Sequence, residues 1–143
     1  MSGRRRKSRE LALQLLYQND LAGTPPEEMF QRTEEYVLAR PEVQEYAQRL
    51  VTGTLSRRDE LDAKLSERSE HWRLGRLPQV DRNILRVATY ELLRRADVPA
   101  SVAIDEAIEI AKRFGSDESA TFVNGVLDHI ATAVGAKERH GAL

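Results

Sequence analysis

Five of the six residues from Arg4 to Arg9 are basic: Arg4, Arg5, Arg6, Lys7 and Arg9, with no acid before Glu10. Side chains of this kind at this density suit contact with a polyanion, a nucleic acid first among them. The chain carries 22 basic and 23 acidic groups; with five bases spent here, 17 remain against all 23 acids. A chain that is almost neutral is thus an acidic body with one cationic end. If all five basic groups met phosphates of a single strand, the salt slope would be at most about −3.5, a loss of roughly a hundredfold in affinity between 50 and 200 mM salt. Charge alone selects no sequence, because phosphate contacts position while base contacts specify.

Choice of sequence in single-stranded RNA usually needs a side chain that stacks on a base. Phe122 fits that description. It lies at the edge of the buried stripe Val123, Val126, Leu127, Ile130 and Val134, where a phenylalanine is either a margin of the core or a stacking surface. Asp81 is ambiguous in the same way. A carboxylate in the first turn of a helix is favoured by the dipole. The helical wheel nevertheless sets it beside Ala88 and Leu92, as a polar contact at a partner interface would be.

Nothing in the sequence assembles catalysis. His71, His129 and His140 lack partners at metal-ligand spacing, and no HExxH, glycine-rich phosphate loop or GxSxG elbow occurs. Asp62, Asp105 and Asp128 read as surface charges, and Asp105-Glu106 as favourable charges near a helix start. No catalytic residue, metal or cofactor is expected.

The elements that carry these residues are helical. Period-3.6 apolar patterns recur and no stretch alternates as a strand would. A first helix is expected from about Arg5 to about Leu21, stopping near Gly23. At ~100° per residue, Arg5, Arg6 and Arg9 share one sector and Leu11, Ala12, Leu15 and Leu16 the neighbouring, core-facing one. Leu13, Tyr17 and Leu21 form a second apolar stripe, which either packs internally or meets a partner. Thr24-Pro25-Pro26-Glu27 has capping-box spacing, predicting a second helix to about Leu38. Pro41 opens a long third helix reaching Leu65, weakened at Gly53. A short turn is expected around Trp72. The helix from Pro78 to about Arg95 is the most apolar and so should be central. Asp97-Val98-Pro99 breaks it; a helix from about Ser101 to Arg113 follows, presenting Phe114 on its apolar face and stopped by Gly115. Ser116 caps the last helix, which runs to about Val134, and residues 136–143 form a frayed tail. Six or seven helices with short connections make an all-α bundle, a single domain over residues 1–143 built of two packed sub-bundles.

The lack of cysteine fits a reducing cytoplasm. No apolar run approaches the ~20 residues of a membrane span, and the opening RRRK precedes a segment too polar for a signal peptide. A cytoplasmic protein without membrane contact is expected.

The arginine-rich start continued by Arg9-Glu10-Leu11-Ala12-Leu13-Gln14-Leu15-Leu16-Tyr17 resembles the opening of the NusB family of bacterial transcription antitermination factors. So do Val80-Asp81-Arg82-Asn83-Ile84-Leu85-Arg86, Val102-Ala103-Ile104-Asp105-Glu106-Ala107, Ala111-Lys112-Arg113-Phe114-Gly115 and Phe122-Val123-Asn124-Gly125-Val126-Leu127-Asp128. The likeness spans nearly the whole chain but is slight from Thr24 to Arg40. It implies two three-helix sub-bundles and binding of boxA RNA together with NusE, a small-subunit ribosomal protein. That pair joins an RNA polymerase elongation complex, with other Nus factors, which passes terminators in ribosomal RNA operons. The implied RNA contacts are Arg5, Arg6 and Arg9, with Arg4 in the same arm, and Glu118 and Phe122; the implied NusE contacts are Tyr17 and Asp81. Thr121 stands where some relatives have lysine. Some family members self-associate, so a homodimer is a further possible partnership. The rival expectation is a helical protein-binding adaptor whose basic arm is incidental.

Overall fold

The computed structural model describes residues 3–67, 77–95 and 97–135. His71, Trp72 with its expected turn, His140 and the tail from Ala136 lie outside these. Among the described residues every regular element is a helix: α1 (Gly3–Ala22), α2 (Pro26–Arg32), α3 (Glu34–Val37), α4 (Pro41–Ser56), α5 (Arg58–Glu67), α6 (Gln79–Arg94), α7 (Ala100–Phe114) and α8 (Asp117–Ala133). The chain is all-α, as its periodicity requires, with eight helices among the described residues against six or seven expected. It divides into two compact units, Met1–Ser56 and Arg57–Leu143.

In the first unit α1 packs chiefly on α4. Leu11, Ala12, Leu15 and Leu16 supply the face of α1, and Val43, Tyr46, Ala47, Leu50 and Val51 that of α4; all are buried. Gly23 ends α1 with φ +67°, a left-handed conformation that glycine adopts without a Cβ penalty. The predicted capping box does not form. Pro26 takes the first helical position and holds Pro25 extended (φ −61°, ψ 147°), as a residue before proline must be. The N-cap therefore falls on Pro25, and Thr24 instead offers its carbonyl to Asn19 Nδ2 at 2.9 Å. The expected single helix to Leu38 is split at Thr33, whose extended backbone (φ −77°, ψ 114°) separates α2 from α3. Its hydroxyl donates to Gln18 Oε1 of α1 at 3.1 Å, fastening the break to the neighbouring helix.

The long helix expected from Pro41 to Leu65 breaks at Arg57 rather than at Gly53, which stays helical and buried within α4. The Ser56 hydroxyl bonds back to the Gly53 carbonyl at 3.3 Å, one of the local side-chain bonds by which serine competes with helix continuation.

In the second unit α6 is central, packed on α5, α7 and α8. Its buried surface is less uniformly apolar than expected. Beside Ile84, Leu85, Val87, Ala88 and Leu92 it buries Asp81, Asn83, Arg86, Thr89 and Glu91. Asp62 is no surface charge: it forms a two-bond ion pair with Arg86, 2.7 Å to Nε and 2.9 Å to Nη2, which fastens α5 to α6. α7 starts at Ala100, so no acid stands in its first turn. Asp105 and Glu106 fall one turn later, where the dipole gives little, and Glu106 is buried. Phe114, expected on the apolar face, is 49% exposed, with the Arg113 guanidinium 5.1 Å from its ring centre. Gly115 follows the last residue of α7, and only glycine fits there: a Cβ would come within 2.9 Å of both the Ala111 carbonyl oxygen and Ser119 Oγ.

Candidate nucleic-acid interface

The cationic run is the first two turns of α1. Arg4, Arg6 and Lys7 are exposed, Arg5 is half-buried and Arg9 is buried at 3% exposure. Tyr46 of α4 orders this end. Its ring, itself buried, has the Arg5 guanidinium 3.7 Å from its centre and that of Arg9 at 5.8 Å. A guanidinium on an aromatic face is held by the ring quadrupole while its edge N–H groups stay in plane and able to donate. Arg4 pairs with Glu42 at the start of α4, an exposed contact worth little in water. Ser8 anchors the same turn, donating to the Val43 carbonyl at 3.0 Å. The i, i+4 spacing of Arg5 and Arg9 puts both on the α4 side, and Arg6 turns outward. Farther along the same helix Tyr17 and Leu21 are 43% and 62% exposed, so this second stripe is not consumed by the core.

The other expected residues belong to the second unit. Ser116 caps α8, its hydroxyl accepting from the Ser119 amide at 3.0 Å. Glu118 is exposed and Phe122, one turn on, is half-buried, as its edge position on the wheel requires. Thr121, between them, is exposed, and its hydroxyl donates to the Asp117 carbonyl at 3.2 Å. Asp81 is only 6% exposed, and its Oδ2 accepts from the Ser119 hydroxyl at 3.0 Å. The structure thus brings Asp81 to the first turn of α8.

The contacts that Tyr46, Glu42 and Ser119 make with the expected site residues were not legible in the sequence. Tyr46 falls on the apolar stripe between Val43 and Ala47, which marks it as core. Only the packing of α1 on α4 shows that its face carries cations. Among the described residues no cluster of three or more histidines, cysteines or acids could hold a metal ion. No described helix is long and apolar enough to cross a membrane.

An all-helical protein with a cationic helix start has the charge distribution of one that meets a polyanion. Comparison with known proteins makes this specific. The NusB family model matches residues 6–132. Transcription antitermination protein NusB of Geobacter sp. (strain M21) is 45% identical over 142 residues, covering 94% of this chain and 98% of the relative. That of Citrifermentans bemidjiense is 46% identical with the same coverage. Among solved structures, Thermotoga maritima NusB superposes with a TM-score of 0.83 at 40% identity, over 92% of this chain and 93% of the other. A structure of antitermination factors NusB and NusE in complex with double-stranded RNA gives 0.83 at 30% identity, over 93% and 99%. The chain belongs to the NusB family of transcription antitermination proteins, and it is not an enzyme.

Proposed function

We propose that the chain binds boxA-type single-stranded RNA together with the ribosomal protein NusE and so supports transcription of ribosomal RNA operons in the cytoplasm. It would act within an RNA polymerase elongation complex containing other Nus factors. The observation that carries this is the cationic start of α1, with Arg5 stacked on Tyr46, in a family that includes a solved complex of NusB and NusE with double-stranded RNA. Arg4, Arg5 and Arg6 meet phosphates, and Arg9 adds its charge from behind them. Glu118 and Phe122 contact bases. The half-buried ring of Phe122 offers a face on which an unpaired base can stack, which favours a single strand over a duplex. Tyr17, on the exposed stripe of α1, and Asp81 are the contacts to NusE in this reading. The whole chain acts as a single binding domain.

The test is fluorescence anisotropy on labelled boxA RNA, its scrambled counterpart and a duplex of equal length, each with and without NusE, from 50 to 200 mM salt. Weak binding alone, tighter and sequence-dependent binding with NusE, and a slope no steeper than about −3.5 are expected. Replacing Arg5, Arg6 and Arg9 by alanine should make that slope shallower and weaken every RNA about equally. Equal affinity for boxA and scrambled RNA in both states would overturn the reading. RNA affinity unchanged in the triple variant would leave the adaptor reading in its place.

A further inference from the structure

The first turn of α8 is tied to α6 by a directed chain of hydrogen bonds. The Ser116 hydroxyl donates to Ser119 Oγ at 3.2 Å, and the Ser119 hydroxyl donates to Asp81 Oδ2 at 3.0 Å. The Ser119 amide closes the loop by donating to Ser116 Oγ at 3.0 Å. A hydroxyl has one proton to give and a carboxylate none, so the order of donors is fixed. Each bond polarises the next, and the chain ends on a charge, where hydrogen bonds are strongest. Space is reserved for the chain as well, since a Cβ on Gly115 would come within 2.9 Å of Ser119 Oγ. At 6% exposure Asp81 has traded much of its water for this contact and for the N-terminal end of α6, in whose first turn it lies.

We propose that Asp81 is a positioning residue for RNA recognition: through Ser119 it anchors the first turn of α8 to α6. It thereby sets where Glu118 and Phe122 stand. Glu118 precedes Ser119 by one residue and Phe122 follows it by three, so a first turn free to fray moves one and loosens the other. The proposal rests on the RNA reading above and assigns Asp81 a role within the chain, separate from any contact with a protein partner. Nothing in the spacing of the sequence pairs positions 81 and 119. Only the packing of α6 on α8 does so.

The test uses the full-length chain with four variants: Ser119→Ala, Asp81→Asn, Asp81→Leu and the double variant Ser119→Ala/Asp81→Leu. RNA affinity in the absence of NusE, NusE affinity in the absence of RNA, and amide hydrogen exchange are measured on each. Ser119→Ala and Asp81→Leu should each weaken boxA RNA binding by about three- to tenfold, and the double variant by no more than either alone. Asp81→Asn keeps an oxygen to receive the Ser119 hydroxyl and should stay within about twofold of wild type. NusE affinity of Ser119→Ala should be unchanged, and exchange should rise at the Ser119 and Ala120 amides while α7 keeps its protection. Should Asp81→Leu fail to fold, the milder Ser119→Ala and the Asp81→Asn rescue carry the test alone. Wild-type RNA affinity in Ser119→Ala, or a loss in Asp81→Asn as large as in Asp81→Leu, overturns the proposal and leaves the RNA reading standing. A wild-type chain indifferent to RNA in every condition overturns both.

Discussion

Tyr46→Leu removes an aromatic face without removing a charge, and the structure says what should follow. The Arg5 guanidinium lies 3.7 Å from the ring centre, well inside the range where cation–π attraction is felt, and Arg9 lies near its outer limit at 5.8 Å. Because the ring is 2% exposed, the closer contact is partly desolvated and worth about 1–2 kcal/mol, and the farther one about 0.5 kcal/mol or less. Without the ring, Arg5 loses one of the contacts that hold it and must be ordered further to meet a phosphate. If most of that restraint serves binding, RNA affinity falls by about tenfold. The salt slope should not change, because every arginine is still present and the same counterions are released. Arg5→Ala, by contrast, should lower the slope by about 0.7. Tyr46→Phe keeps the ring face and should bind within about twofold of wild type. Anisotropy across a salt series, at a temperature where circular dichroism shows each variant folded, separates these outcomes. Unchanged affinity in Tyr46→Leu, or an equal loss in Tyr46→Phe, would refute the orienting role of the ring.

Two further outcomes concern stability. The Arg86 side chain is 6% exposed and that of Asp62 28%, so the two halves of this ion pair should not be equivalent. Asp62→Ala strands a buried guanidinium and should cost about 3–5 kcal/mol. Arg86→Met leaves a carboxylate that water still reaches and should cost about 1–2 kcal/mol; urea denaturation giving equal losses would contradict the asymmetry. Burial raises the pKa of Tyr36 above the usual tyrosine value, its hydroxyl donating to Gln48 Oε1 at 3.2 Å. The raised folded value gives stability that is full below the unfolded pKa of about 10 and is lost as pH climbs through the folded one. Urea midpoints measured between pH 8 and pH 11 should therefore fall at the alkaline end in wild type and fall less in Tyr36→Phe.

The sequence by itself determined the helical class, most helix ends and the cationic terminus. Each of these is a local matter. Apolar spacing sets the period, Gly23 and Ser116 carry stop and start signals within their own turns, and net charge does not depend on packing. The stripe of Tyr17 and Leu21, and Phe122 at the margin of the core, were also legible, because a helical wheel needs no neighbour. Two failures are local, the capping box lost to Pro25-Pro26 and the break at Arg57; elsewhere the sequence failed where a partner from another helix decides the outcome. The break at Thr33 is held by Gln18, and Asp62 ceases to be a surface charge because Arg86 of α6 reaches it. Tyr46 became a platform for arginines only when α1 packed on α4, and Asp81 an anchor only when α6 met the start of α8. A side chain's type and period fix its helix and its face. What that face meets is set by the packing of elements distant in the chain, which only the tertiary structure decides.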